Sequence, residues 1–161
     1  LGVDIDNQDL GEAYFKVGIV HERSDNWNEA ENNFLKALEL YSDQPDVLNY
    51  LGYSYIDMDI NMLTAKEMIG KSLKQKPNDP YIIDSMAWYY FKIGDYEEAK
   101  SLLEYAIDLM PYDPIINEHY GDALWMIGKN MEARFQWSKA LELDPEEETI
   151  ANIKIKILKG I

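Results

Sequence analysis

The sequence predicts an all-α chain of stacked helical hairpins, and three observations carry that expectation. Apolar side chains recur at three- and four-residue steps, the period that places one stripe along one side of a helix. Ala30, Ala65, Ala99 and Ala133 repeat at intervals of 35, 34 and 34 residues. Between the stripes stand residues suited to breaks and caps: Gly94-Asp95 and Gly128 at turns, Pro45, Pro80 and Pro114 opening hairpins, Pro111 and Pro145 closing them.

Residues 1–10, with Asp4, Asp6 and Asp9 and no apolar stripe, are expected to be a linker or the end of an upstream element. The chain starts at Leu1 rather than methionine, so it is expected to be an excised or processed piece whose targeting segment would be missing. Four repeats follow over residues 11–145, at 11–44, 45–79, 80–113 and 114–147, the last running into a terminal helix over 146–161. The first has Tyr14, Val17, Gly18 and His21 on helix A, the turn Ser24-Asp25-Asn26, and Ala30, Phe34 and Ala37 on helix B. His21 stands at a core position and is expected to be packed or hydrogen-bonded.

The second repeat carries Leu48, Leu51, Gly52 and Tyr55, then Ala65, Ile69 and Ser72, with one residue inserted in the turn Asp57 to Asn61. That turn opens like a calcium loop, D-x-D-x-N. Met62 stands where such a loop needs glycine and Met68 where it needs a bidentate glutamate, so a capped turn is expected and no metal site.

In the third repeat Ile83, Met86, Ala87 and Tyr90 face Ala99, Leu103 and Ala106, with Asp95 as the cap of helix B. Large and small residues alternate as close helix packing requires. The fourth repeat keeps the register with Tyr120, Gly121, Leu124, Ala133, Trp137 and Ala140. The terminal segment has an acidic start, an apolar set of Ile150, Ile153, Ile157 and Leu158, and lysines at 154, 156 and 159 that suit a helix C-terminus. It is expected to cap the array.

One elongated domain is the simplest reading of 161 residues. The net charge of −15 disfavours nucleic acid and anionic membrane as partners and favours a basic or neutral protein or peptide with apolar anchors, although acidity also serves solubility. No apolar run approaches the ~20 residues of a membrane helix, so no direct membrane insertion is expected. Cysteine is absent, which excludes disulfides and thiol chemistry and leaves the compartment open. His21 and His119 lie in different repeats, and no phosphate loop or nucleophile motif appears, so neither a cofactor nor enzyme activity is expected.

The spacing and the residues at each position resemble the tetratricopeptide repeat, whose period is 34 residues. The runs LNYLGYSY, YIIDSMAWYYFKIGDYEEA and INEHYGDALWMIGKNMEARFQW are similar to the C-terminal repeats of proteobacterial, especially alphaproteobacterial, proteins of that kind, which are usually longer and often exported. The chain is thus expected to be bacterial, whether cytoplasmic or exported. The resemblance implies a right-handed superhelix of four helix-turn-helix repeats plus a C-terminal capping helix, with a concave groove lined by the A helices. Carried onto this sequence, the groove positions are Phe15, Ile19, Asn49, Tyr53, Tyr81, Asp84, Trp88, Glu118, Asp122 and Trp125, an aromatic and acidic surface.

The function so implied is that of a non-enzymatic scaffold or adaptor holding a peptide or protein segment. The alternative is a self-assembly module of a larger repeat protein, in which an uncapped first hairpin exposes Tyr14, Phe15 and Ile19 and the chain forms homo-oligomers. One subclass of the family grips acidic chaperone tails with lysine and asparagine where this chain has Phe15 and Ile19, and with lysine where it has Tyr81, so such tails are not expected to bind.

Overall fold

The structure is a computed structural model that describes residues 6–161. Among the described residues it contains nine α-helices and no strand: α1 (Asn7–Glu22), α2 (Trp27–Leu40), α3 (Pro45–Asp57), α4 (Met62–Gln75), α5 (Pro80–Lys92), α6 (Tyr96–Leu109), α7 (Pro114–Met126), α8 (Asn130–Glu142) and α9 (Glu147–Lys159). The first eight pair as four hairpins, each A helix against its B helix. In place of the single elongated domain expected, the chain divides into two compact units, one ending at Gln75 and one spanning Lys76–Ile161.

In the first unit the recurring alanines do what their spacing implies. Ala30, Ala37 and Ala65 are fully buried, and Phe34 and Ile69 fill the space opposite Gly18 and Gly52. Helix α1 begins at Asn7, inside the stretch expected to be linker, because Asp6 caps it: its Oδ1 accepts from the Asp9 N–H at 2.8 Å. The remainder of that stretch, residues 1–5, lies outside the described residues. The turn between α3 and α4 uses the left-handed region at Asp59 (φ 56°) and Asn61 (φ 47°), which absorbs the inserted residue.

In the second unit Pro80 and Pro114 occupy the first turn of α5 and α7, each preceded by a capping aspartate. Asp95 caps α6 by accepting from Glu98 N–H at 3.3 Å. Gly94 and Gly128 take φ +86° and +83° at the turns. Where α7 crosses α8, a Cβ on Gly121 would meet the Trp137 ring at 2.5 Å, so the indole, fully buried, lies directly on the α7 backbone. Ile153 of α9 completes this core with Leu124, Ala133 and Ala140, and Ile157 packs at its edge. Leu158, expected to join them, is 76% exposed. It lies five residues beyond Ile153, a rotation of roughly 140° around the helix, which turns it away from α8.

Candidate functional site

In the first unit the A helices α1 and α3 bring four of the expected groove residues into view. Phe15 packs its ring on Phe34 and Tyr50, with centroids 5.9 and 5.7 Å apart, so it is half-buried. The apolar patch expected on the first hairpin therefore lies elsewhere: Val17 and Val20 are 45% and 64% exposed, whereas Tyr14, Phe15 and Ile19 are half-buried. Asn49 is half-buried, and its Oδ1 is enclosed without a hydrogen-bond partner in the protein. Tyr53 lines a cavity of about 180 Å³ with Glu22, Trp27, Tyr50 and Met58. The Tyr50 hydroxyl donates to Glu22 at 3.1 Å, and burial, then that carboxylate's charge, pushes its pKa up to about 12.

In the second unit the acidic groove residues are held internally. Asp84 on α5 is 5% exposed and bonds to His119 Nδ1 on α7 at 2.9 Å. Lys156 of α9 donates to Glu118 at 2.8 Å and to Asp122 at 2.7 Å, both on α7. The remaining oxygen of Asp122 accepts the Trp137 indole N–H at 2.9 Å. The three groove carboxylates are thus each held by a group of the chain itself, Glu118 and Asp122 by one shared ammonium.

Aromatic side chains complete the same face. Trp88 lies stacked between Phe91 and His119, with centroids at 4.7 and 4.3 Å, and its Nε1–H is buried without a partner in the protein. Trp125 is covered by the Arg134 guanidinium at 4.9 Å, while Gly160 lies so close to its ring that a Cβ there would clash with it. Arg134 Nε in turn donates to Ile157 O at 2.9 Å, tying α8 to α9. Tyr81 is the most open of the six: it is 48% exposed, and its hydroxyl donates to Asp113 at 3.0 Å, the residue that caps α7.

The electrostatics follow from this packing. Burial alone would push the His119 pKa down; Asp84's charge and hydrogen bond, with Asp122 and Glu118 behind it, outweigh that and hold it above the usual imidazole value. Burial raises Asp122 above the usual carboxylate range, against the opposing pull of Lys156. Lys156 itself is lifted by the two carboxylates in spite of its burial.

A raised histidine pKa stabilises the fold fully below the unfolded value of about 6.5, and that contribution is lost as pH rises through the folded value. The stability advantage of the wild type over His119→Gln is therefore expected to shrink as pH climbs above about 6.5. Urea midpoints of the two proteins across that range check it, and an advantage that grows with pH would contradict it.

Sequence reasoning missed His119, Lys156, Trp137 and Arg134 as partners of this face. His119 and Asp84 stand 35 residues apart, close to one repeat, so repeat-to-repeat register was the signal that could have paired them. The lysine at 156 looked like a helix-end charge and no more. Among the described residues no group of three His, Cys, Asp or Glu side chains converges to hold a metal ion, and no helix is long and apolar enough to cross a membrane.

Residues 83–113 match the tetratricopeptide repeat family model. The chain is 32% identical over 115 residues to the TPR repeat-containing protein PA4667 of Pseudomonas aeruginosa, covering 71% of this chain and 19% of that one. It is 27% identical over 88 residues to interferon-induced protein with tetratricopeptide repeats 2 of Cricetulus griseus, covering 55% of this chain and 16% of the relative. The chain thus spans less than a fifth of the length of either curated relative. Among solved structures it superposes on Pseudomonas aeruginosa PilF with a TM-score of 0.77 at 21% identity, covering 94% of this chain and 69% of PilF. For the type IV pilus biogenesis factor PilW the TM-score is 0.78 at 15% identity, with 93% and 70% covered. The first repeat domain of RPAP3 bound to the HSP90 peptide SRMEEVD gives 0.58 at 21% identity, with 72% and 94% covered.

Proposed function

Because the chain is built of tetratricopeptide repeats, a fold that serves generally as a protein–protein interaction scaffold, we propose that it is a non-enzymatic adaptor whose A helices hold an extended or helical protein segment. The observation that carries this reading is an open aromatic side chain on those helices in each unit, Tyr53 at the wall of a cavity in the first and Tyr81, 48% exposed, in the second. Such rings supply most of the affinity at an interface of this kind.

The partner segment is basic or neutral with apolar anchors. The net charge of −15 attracts a basic segment at long range. Asp84, Glu118 and Asp122 contribute to that field, but each already has a partner inside the chain, so apolar anchoring sets the affinity. Peptides selected from a displayed random library test this. Tyr53→Ala and Tyr81→Ala are expected to weaken the selected peptides by about tenfold, the scale of a moderate hot spot; binding that neither substitution changes would contradict it.

The structural likeness to the RPAP3 domain does not extend to its ligand. Phe15, Ile19 and Tyr81 offer no cation to a terminal carboxylate, and the chain's own charge repels an acidic peptide. No saturable binding of SRMEEVD is expected in a fluorescence titration, and a micromolar complex would contradict the assignment.

A further inference from the structure

We infer that the outer surface of α7 and α8 receives the outer side of α9 from a second copy of this chain, in a head-to-tail contact separate from the A-helix face. The receiving surface is a cavity of about 330 Å³ lined by Tyr120, Leu124, Met131, Glu132, Phe135 and Gln136. Met131 and Phe135, one turn apart on α8, are 86% and 66% exposed. Phe135 has no structural duty that the repeat demands, since the matching positions of the third repeat are Glu97 and Ser101, and those of the first are Asn28 and Asn32. Two adjacent exposed apolar residues at these positions occur in the fourth repeat alone of the four, and such pairs mark an interaction surface.

The chain carries a surface with the opposite attributes. On α9, Ile155 and Leu158 are 52% and 76% exposed and lie three residues apart on one side, flanked by the exposed Lys154 and Lys159. Around the cavity the charge is mostly negative: Glu104, Glu132 and Asp108 all act on the Tyr120 hydroxyl, whose pKa burial and these carboxylates push up to about 12. Lys129, 3.4 Å from Glu132, and Lys100, paired with Glu104, offset part of that charge. An apolar stripe edged with lysine thus meets an apolar cavity edged with carboxylate. The two patches are different surfaces of one molecule, so the contact is heterologous and propagates along a chain of copies unless it closes into a ring.

Sedimentation of the intact protein over a concentration series tests this, using two variants at exposed positions with folding confirmed by circular dichroism. Met131→Glu/Phe135→Ser installs the residues of the third repeat and removes the receiving surface, while Leu158→Glu removes the inserting one. The wild type is expected to associate beyond a dimer or to close into a ring, less so as salt is raised, and each variant is expected to be monomeric alone. An equimolar mixture of the two is expected to form a dimer and nothing larger, because one intact pair of surfaces remains. A wild type that stays monomeric throughout, variants that still associate, or a mixture that stays monomeric would overturn the inference.

Discussion

Lys156→Met is expected to destabilise the protein by about 3–5 kcal/mol, as the removal of one partner from a buried charge pair typically does. The methionine keeps most of the side-chain volume, so the loss isolates the charge. Asp122 is 3% exposed and carries a pKa already raised by burial even with Lys156 beside it. Without the ammonium, its carboxylate either stays charged in a poorly solvated site or takes up a proton, and Glu118 loses its cation as well. Adding Asp122→Asn to Lys156→Met is expected to recover part of the loss, because the amide oxygen still accepts the Trp137 indole N–H and the more deeply buried of the two orphaned carboxylates is gone. Urea unfolding measures both. A silent Lys156→Met would show that the ammonium is loosely held and that α9 is not fastened by charge.

Trp137→Ala is expected to cost a similar amount, about 3–5 kcal/mol, by a different route. The indole is fully buried between the α7 backbone at Gly121 and the core formed by Leu124 and Ile153. Its removal leaves a cavity that the crossing helices cannot close, since Gly121 has no side chain to fill it. It also strips Asp122 of a hydrogen bond. Both changes act on the same carboxylate, so the double variant Lys156→Met/Trp137→Ala is expected to lose less than the sum of the two single losses. Strict additivity would mean that Asp122 does not connect them.

These two residues also show which parts of the molecule can be read from sequence. The hairpins are legible because each depends on local patterns: an alanine at a crossing, a glycine beneath a large residue, a proline and a capping aspartate at a helix start. Ala99 and Ala133 are buried for the reason their spacing implies. The groove positions could be named from the family resemblance, and their charge could be counted. Their state could not, because it depends on residues far along the chain: Lys156 is 34 residues from Asp122 and 38 from Glu118, and His119 is 35 from Asp84. A surface that composition describes as acidic is, in the second unit, one whose groove carboxylates already have partners within the chain.

The start of α1 was missed for a smaller reason. Asp6 and Asp9 looked like linker composition, whereas Asp6 is the cap of the helix that contains Asp9. The outer face of α9 was misread for a geometric one, since Leu158 belongs to the apolar set by composition and to the exposed side by rotation. The division at Gln75 carries no composition signal, because the repeat register runs through it unchanged.

Hydrogen exchange of the protein with and without a library-selected peptide tests the central claim most directly, that the A helices hold a partner segment. Added protection is expected in α1 and α3 of the first unit or α5 and α7 of the second, with the outer face of α8 unchanged. Protection confined to the B helices, or none at saturating peptide, would contradict it.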